Sequence, residues 1–476
     1  MAAVHEQARG SGGPGKAGGR SRADAPGKAI APARSCAYAV LRRVFEQGAY
    51  ADLALRAESD SVRLDARDRA LAMRLAFGAV QRKGTIDHLI GRLAERPATR
   101  LDPPVLAALR LGLYELLYLS GSPDHAVVAD TVELAKRHGR GGHGLVNAVL
   151  RRAAREGADA LLGSLDDATP EHAAVLHSHP EWIVRLWWKR LGAEHARALL
   201  ASDNEAGEVA LRANTLAGDP DSLERALAAQ SVLAHRDATI AEALVLDGPF
   251  DLHDSPLWQE GAFLAQSRAA MLVARTLSPS PGERVLDLCA APGGKTTHLA
   301  ALMQGEGSVL AVERNRARAG ALERTARRLR AGNVRVELGD AAAPRAEGAV
   351  FDRVLVDPPC SGLGVLQARA DLRWRVGEAD VVQMAATQRS ILAAGAAALR
   401  PGGVLVYSTC TISPIENEHV IEGFLDSHAD FSLDDLAGEL PALSDGEPRI
   451  SLPGTVVTLP HRDRTAGFFI ARLRRS

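Results

Sequence analysis

Cys360 and Cys410 are the residues whose type and position point most directly to chemistry. Cys360 closes Val356-Asp-Pro-Pro-Cys360 and Cys410 closes Tyr407-Ser-Thr-Cys410, each just past a short apolar run that reads as a strand. A single thiol in such a place is ordinarily a small buried hydrophobe. Two in matching positions, in a chain with four cysteines altogether, suggest reactive thiols. A thiolate that adds to C6 of cytosine makes C5 enamine-like and able to attack a sulfonium methyl; a base then removes the C5 proton and the thiolate leaves. Asp357, three residues before Cys360, could hydrogen-bond N3 of the ring as charge develops there. Methylation of an amino group needs no thiolate, and an aromatic residue after Asp-Pro-Pro would serve base stacking better than Cys. Spacing alone does not order the two cysteines.

A methyl donor needs its own site, and Val285-Leu-Asp-Leu-Cys-Ala-Ala-Pro-Gly-Gly-Lys-Thr296 has the form of one. The apolar run reads as a buried strand, residues 290–294 as a tight turn, and the residues from Lys295 to Met303 as a helix. This is a nucleotide-binding corner, where backbone approaches a ligand closely. It is no phosphate-cradling P-loop, because the position five before Gly294 is Cys289, and it is no G-x-G-x-x-G fingerprint. Glu313 follows the next strand candidate, about twenty residues beyond the turn, where an acid can accept from ribose hydroxyls. Asp340 follows the third and suits an adenine amino group. A lone strand-end acid usually caps a helix, but three successive strand ends carrying Gly-Gly, Glu and Asp point to an adenosine site. Cys289 reads as part of the turn.

The elements that must position these residues are strands at 284–288, 308–312, 334–338, 354–356 and 404–407, with helices between most of them. Such alternation predicts a doubly wound, mainly parallel sheet, with ligands beyond the carboxyl ends of its strands. Residues 35 to about 155 are helical throughout, with apolar residues recurring at three and four, and predict an all-α bundle of five or more helices. Between them, residues 209–216, 222–229 and 232–246 read as a small α+β module. The tryptophans of Glu181-Trp-Ile-Val-Arg-Leu-Trp-Trp-Lys-Arg190 read as packing residues. The division predicted is 1–33 a disordered basic tail, 34–157 the helical domain, 158–265 linker and small module, and 266–476 the α/β domain.

Composition sets outer bounds. The chain has 476 residues, 46% hydrophobic and 24% charged, with a net charge of -1 and 4% aromatic residues. A nucleic-acid partner must therefore be met by local basic patches rather than by overall charge or a broad stacking platform. The cysteine spacing fits no metal site or disulfide framework, no apolar run is long enough to span a bilayer, and the N-terminus lacks a signal-peptide core. The expectation is a cytoplasmic protein without a metal.

Leu109-Arg-Leu-Gly-Leu-Tyr-Glu-Leu-Leu117, His125-Ala-Val-Val, Thr131-Val-Glu-Leu-Ala-Lys136 and Val146-Asn-Ala-Val-Leu-Arg-Arg152 resemble, in their order, the NusB-type RNA-binding domain. The run 286–296, with Asp357-Pro-Pro-Cys-Ser-Gly-Leu-Gly364, Ser408-Thr-Cys410, Glu416-Asn-Glu418 and Gly467-Phe-Phe469, resembles the RNA 5-methylcytosine methyltransferase family. With the NusB-like front end, the combination resembles bacterial members acting on small-subunit ribosomal RNA. The resemblance implies a Rossmann-like methyltransferase domain and S-adenosylmethionine as cofactor. It places Cys289, Ala290, Ala291, Pro292, Gly293, Gly294, Lys295, Glu313, Asp340 and Asp357 in the cofactor site. It also makes Cys410 the nucleophile, Cys360 the residue that assists release, and ribosomal RNA the partner. Glu313 stands where the family usually has Asp, Ser267 where it has Asp, and Ala466 where an acid is common. Residues 367–370 are less basic than usual, and Ala370 takes the place of a proline.

Such an enzyme must reach a base that is single-stranded or flipped out. Arg369, Arg373, Trp374 and Arg375, beyond the fourth strand, are candidate RNA contacts, as are Arg151 and Arg152 at the end of the helical domain. The arginine-rich stretch 314–330 reads as a solvated face. Two other readings are the same chemistry on transfer RNA, and a NusB-like RNA-binding or assembly factor with an inactive methyltransferase domain.

Overall fold

A computed structural model describes residues 30–248, 250–252, 255–345, 348–440, 450 and 452–476. The expected tail lies outside these residues as far as residue 29. The first helix begins at Pro32, where proline loses no helical hydrogen bond.

Seven helices form the N-terminal bundle: α1 (Pro32–Gln47), α2 (Ala51–Ser61), α3 (Ala66–Gln81), α4 (Lys83–Ala94), α5 (Pro103–Tyr118), α6 (Asp124–His138) and α7 (His143–Leu162). Helix α5 runs through its centre, with Leu109, Leu111 and Leu113 fully buried. Helices α8 (Pro170–Leu176) and α9 (Glu181–Ser202) lead away from the bundle. Trp187 of α9 is fully buried in the same apolar cluster as Leu286 and Val354 of the large sheet, so α9 packs on the C-terminal domain.

The small module is an antiparallel sheet, order β2-β3-β1-β4, of β1 (Ala210–Ala213), β2 (Ala234–Arg236), β3 (Ala243–Leu246) and β4 (Phe263–Ala265). It carries α10 (Pro220–Ala229) and α11 (Pro256–Gln259).

The C-terminal sheet holds β5 (Arg284–Leu288), β6 (Ser308–Glu313), β7 (Val334–Leu338), β8 (Phe351–Val356) and β9 (Leu399–Thr409), all parallel, in the order β9-β8-β5-β6-β7. Side chains alternate along its strands. Leu286 and Leu288 join one apolar cluster and Val285 the other, as a sheet covered on both faces requires. The covering helices include α12 (Arg268–Leu277), α13 (Gly294–Leu302), α14 (Arg316–Arg328), α15 (Glu378–Ala398) and α16 (Glu418–Ser427). Beyond β9 the sheet continues antiparallel through β12 (Phe469–Arg475) to β10 (Phe431–Leu433), and β11 (Val456–Val457) pairs with β12. The sequence pattern did not disclose these three strands. The order reverses between β5 and β8, so the loops after these two strands adjoin, as at a topological switch point.

The segment after β8 joins the domains; this corrects one expected RNA contact, Arg373, and gives a second, the partly exposed Trp374, a packing role. Arg373 has no exposed surface. Its guanidinium donates to the carbonyls of Ser178 and Asp203 at 3.1 Å and to Asn204 Oδ1 at 3.0 Å. Trp374 Nε1 donates to Val80 O at 2.7 Å, and Lys83 lies over the indole at 4.5 Å. Both residues fasten the helical domain and α9 to the methyltransferase domain. Basic character said nothing about burial here. Among the described residues, no helix is long and apolar enough to cross a membrane, and no group of three or more His, Cys, Asp or Glu could hold a metal ion.

Replacing Arg373 by Met leaves the carbonyls of Ser178 and Asp203 and the side-chain oxygen of Asn204 without their donor, and removes the charge that opposes the burial of the Asp203 carboxyl. The expected cost is about 3 kcal/mol of stability, read from the midpoint of denaturant unfolding, while the RNA affinity of the folded protein is retained. A loss of RNA affinity at unchanged stability would return Arg373 to the RNA surface.

Candidate active site

The loops after β5, β6, β7, β8 and β9 enclose a cleft of about 350 Å³. Its wall brings together Cys289, Ala291, Lys295, Glu313, Asp340, Asp357, Cys360 and Cys410, residues spread over 122 positions of sequence. Ala290, Pro292, Gly293 and Gly294 do not line it; they form the turn behind. Gly293 has φ 100°, and a Cβ there would meet Leu322 Cδ1 at 2.6 Å, so the turn needs glycine on both counts. Gly293 N donates to Ala290 O at 2.9 Å, which closes the turn.

The sulfurs of Cys360 and Cys410 are 3.2 Å apart. Their environments differ. The hydrogen bond from Cys360 holds the Cys410 thiol below the ordinary range against its burial and the Asp357 carboxylate, and the Lys295 ammonium adds to the lowering. The same contact raises Cys360 well above that range, reinforced by burial and by the carboxylate of Glu416. The pair therefore ionises at Cys410 first, with Cys360 as donor. Burial pushes the Cys289 thiol up to about 12, so it stays protonated in the turn.

Lys295 Nζ lies 2.8 Å from Asp357 Oδ2 and 5.0 Å from the Phe468 ring. Although burial opposes it, the Asp357 carboxylate keeps Lys295 charged and above its usual pKa. Asp357 Oδ1 accepts from Ser408 Oγ at 3.0 Å. Both carboxylate oxygens are thus acceptors already, which qualifies the expected contact of Asp357 with a ring nitrogen: a donor there must come from the Lys295–Asp357 pair.

A second tier of residues fixes the cysteine loops. Glu416 accepts from Ser361 N at 2.8 Å, from Ser361 Oγ and from Gln388 Nε2 at 3.0 Å, which sets the backbone next to Cys360. Asn417 donates to Thr411 O at 2.9 Å and accepts from Thr409 Oγ1 at 2.6 Å, bracketing Cys410. Glu418 pairs with Arg190 of α9 at 2.6 Å. Gly364 N donates to Cys410 O at 3.0 Å, and Gly467 N donates to Gly364 O at 2.6 Å. A Cβ on Gly364 would collide with the Gly467 carbonyl. These contacts give each residue of the Glu416-Asn-Glu418 motif a physical task.

The small module reaches the cofactor turn through Arg212, which the sequence reading missed. Arg212 sits on β1 with 1% of its surface exposed. Its guanidinium donates to Gly294 O at 2.5 Å, Gln266 Oε1 at 2.7 Å and Thr297 Oγ1 at 2.9 Å. Burial lowers its pKa to about 9, which leaves it charged at neutral pH. One signal was available: a lone arginine in the strand-like run 209–216.

The departures from the family pattern have local explanations. Ser267 caps α12, its hydroxyl accepting from Ala270 N at 3.3 Å, as an Asp would. Glu313 is 3% exposed and accepts from Asn315 N at 2.9 Å. Gln367 donates its amide to Ser202 O at 2.7 Å. Ala466 contributes its carbonyl to Thr458 Oγ1 at 2.7 Å. Of the other basic candidates, Arg369 lines the cleft and Arg375 is exposed at its approach. Arg151 lines a separate groove between α6 and α7, and Arg152 pairs with Glu156 one turn along its own helix. Within α14, Arg328 lies 3.6 Å from the Trp258 ring and donates to two carbonyls, a packing role.

Residues 274–474 match the 16S rRNA methyltransferase RsmB/F family, residues 31–155 the NusB family, and residues 179–253 the ferredoxin-like domain of RsmF/B-like methyltransferases. A "probable ribosomal RNA small subunit methyltransferase B" of Synechocystis sp. is 34% identical over 448 residues, covering 93% of this chain and 99% of that one. A Bacillus subtilis protein of the same name is 34% identical over 446 residues, covering 93% and 98%. The crystal structure of PH0851 superposes with a TM-score of 0.80 at 27% identity, over 94% of this chain and 100% of that one. The chain belongs to the RsmB/F family of 16S rRNA methyltransferases and is an RNA methyltransferase whose cofactor is S-adenosylmethionine.

Proposed function

We propose that the chain methylates C5 of a cytosine in small-subunit ribosomal RNA through a covalent bond between Cys410 and C6 of the base. The observation that carries this is the contact of two sulfurs at 3.2 Å in a cleft with a cofactor turn. Methylation at an exocyclic amino group would have no use for either thiol.

The donor set fits S-adenosylmethionine. Glu313 at the end of β6 is assigned to the ribose hydroxyls, Asp340 after β7 to the adenine amino group, and the 289–295 turn with Asp357 to the methionine end. Three acids and a bare backbone turn suit an adenosine that carries no phosphate. When bound, S-adenosylmethionine supplies an electrophilic sulfonium methyl, which C5 acquires as the S–CH3 bond breaks toward sulfur.

Cys410 attacks C6 as the thiolate, forming the Sγ–C6 bond while the ring electrons move toward N3. The Lys295 ammonium, 2.8 Å from Asp357 Oδ2, carries a proton that the pair can place at N3. This opposes the developing charge. Cys360 acts later. Its protonated state rests first on the hydrogen bond with Cys410 and then on burial. Once the Cys410 sulfur is a thioether its negative charge is gone, and Cys360 ionises more easily than before. Its own proton passes to water in the open cleft, and the Cys360 thiolate takes the C5 proton; the C5–H electrons restore the C5–C6 double bond, the C6–Sγ pair returns to Cys410, and the proton on N3 goes back to the Lys295–Asp357 pair. Adduct formation thereby prepares the base that ends it.

RNA carrying 5-fluorocytidine at the target has no C5 proton to lose and is expected to trap the wild-type enzyme as a denaturation-resistant complex. Cys410→Ala abolishes trapping, whereas Cys360→Ala accumulates an adduct even with ordinary RNA. Methylation at a normal rate by Cys410→Ala would contradict the assignment.

The rate should rise with pH as Cys410 ionises, with this limb below the ordinary thiol range. Removing the Lys295 charge removes one cause of the lowered value, so Lys295→Met moves the limb to higher pH. A limb that stays put, or moves down, in single-turnover pH profiles would show that Lys295 does not help ionise the nucleophile.

A further inference from the structure

A second cleft, of about 310 Å³, lies where the helical domain meets the segment beyond β8. Met73 and Phe77 of α3 and Tyr114 of α5 give it an apolar and aromatic side, and Asn204 and residues 367–371 close the other. Three observations bear on its use. Arg369 lines both this cleft and the catalytic one, so the two are adjacent and share a wall. The lip is aromatic and basic: Arg369 and Arg375 lie over the Tyr50 ring at 5.1 Å and 4.1 Å, and Tyr50 and Met73 are 41% and 44% exposed. Asp371 lines the cleft at 3% exposure, and its Oδ2 has no hydrogen-bond partner. A buried carboxylate oxygen with no donor is costly unless something completes it.

We propose that this cleft receives the base of a nucleotide next to the target cytosine in the substrate RNA. The proposal rests on the reading of the catalytic cleft as a cytosine site and adds to it a neighbouring subsite. The physical reason is local. A cytosine drawn out of its stack leaves the neighbouring base without a partner, and proteins restore that contact with aromatic side chains or guanidinium planes. Phe77, Tyr114 and Met73 offer such a surface within reach of the same strand. The charge pattern suits a base edge better than a run of phosphates, since Asp52, Glu205 and Asp371 share the lining with Arg74 and Arg369. Arg369 and Arg375 at the lip are left for the backbone, and the free acceptor on Asp371 favours a base that presents an amino group. The helical domain thus helps choose the target through the target's neighbour.

The test uses the full chain and small-subunit ribosomal RNA fragments containing the methylated cytosine. With 5-fluorocytidine at the target and a photoreactive 4-thiouridine on its 5′ or 3′ side, one of the two positions should cross-link to peptides carrying Met73, Phe77 or Tyr114. Met73→Glu, at an exposed site, should raise KM for RNA about tenfold or more. Leu233→Glu, at a more exposed position on the small module, should leave it unchanged. An abasic nucleotide at the cross-linked position should cost the wild type a similar factor and cost Met73→Glu little more. Cross-links from both neighbours falling only outside these peptides would overturn the subsite, as would an unchanged KM for Met73→Glu. If wild-type enzyme fails to trap the 5-fluorocytidine RNA at all, it is the cytosine reading that fails.

Discussion

The contact between the Cys360 and Cys410 sulfurs is the constraint on which the rest of the active site depends. Two partly buried thiols 3.2 Å apart on the cleft wall resist both being charged, so one donates to the other. Which one donates is set by asymmetry around them. The hydrogen bond from Cys360 favours charge on Cys410 with help from Lys295, against burial and Asp357, and burial and Glu416 disfavour charge on Cys360. A nucleophile and a later base are thereby distinguished by their surroundings, although the two side chains are chemically identical.

Holding that contact engages every layer of the C-terminal domain. The loops after β8 and β9 are tied together by Gly364 N to Cys410 O and braced by the backbone crossing at Gly467. Behind them Glu416 and Asn417 satisfy the polar groups next to each cysteine. These are buried polar networks in which each member has a partner, the condition under which such networks rigidify a site. The small module contributes by a different route, through the Arg212 guanidinium on the carbonyl of Gly294. The helical domain contributes through Arg373 and Trp374, which make its position relative to the cleft a fixed one. The three parts of the chain behave as one support for two loops.

Much of this was legible in the sequence, for identifiable reasons. The parallel strands and the glycine turn showed because a buried strand is a short apolar run and its turn needs glycine. The chemistry showed because cysteine is rare in this chain and three of its four thiols follow strands, two of them outside the cofactor turn. Other features depend on partners far away in sequence. Arg212 and Gly294 are 82 residues apart, and nothing in either segment announces the other. Strand β12 alternates apolar residues with arginines and reads poorly as a strand until β9 is placed beside it. Arg373 sits in a basic cluster and looked like a surface residue, yet its neighbours Arg369 and Arg375 remain near the surface while it is buried. Charge in a sequence reports solvent exposure on average and fails for a guanidinium, such as that of Arg373, that finds buried acceptors.

The central claim is that Cys410 carries the covalent bond while Cys360 serves as its donor and later as the base. The most direct measurement is to trap the enzyme on 5-fluorocytidine RNA, digest both components, and locate the nucleotide by mass spectrometry. The account predicts the adduct on the peptide containing Cys410, with Cys360 free. An adduct on the Cys360 peptide would contradict it.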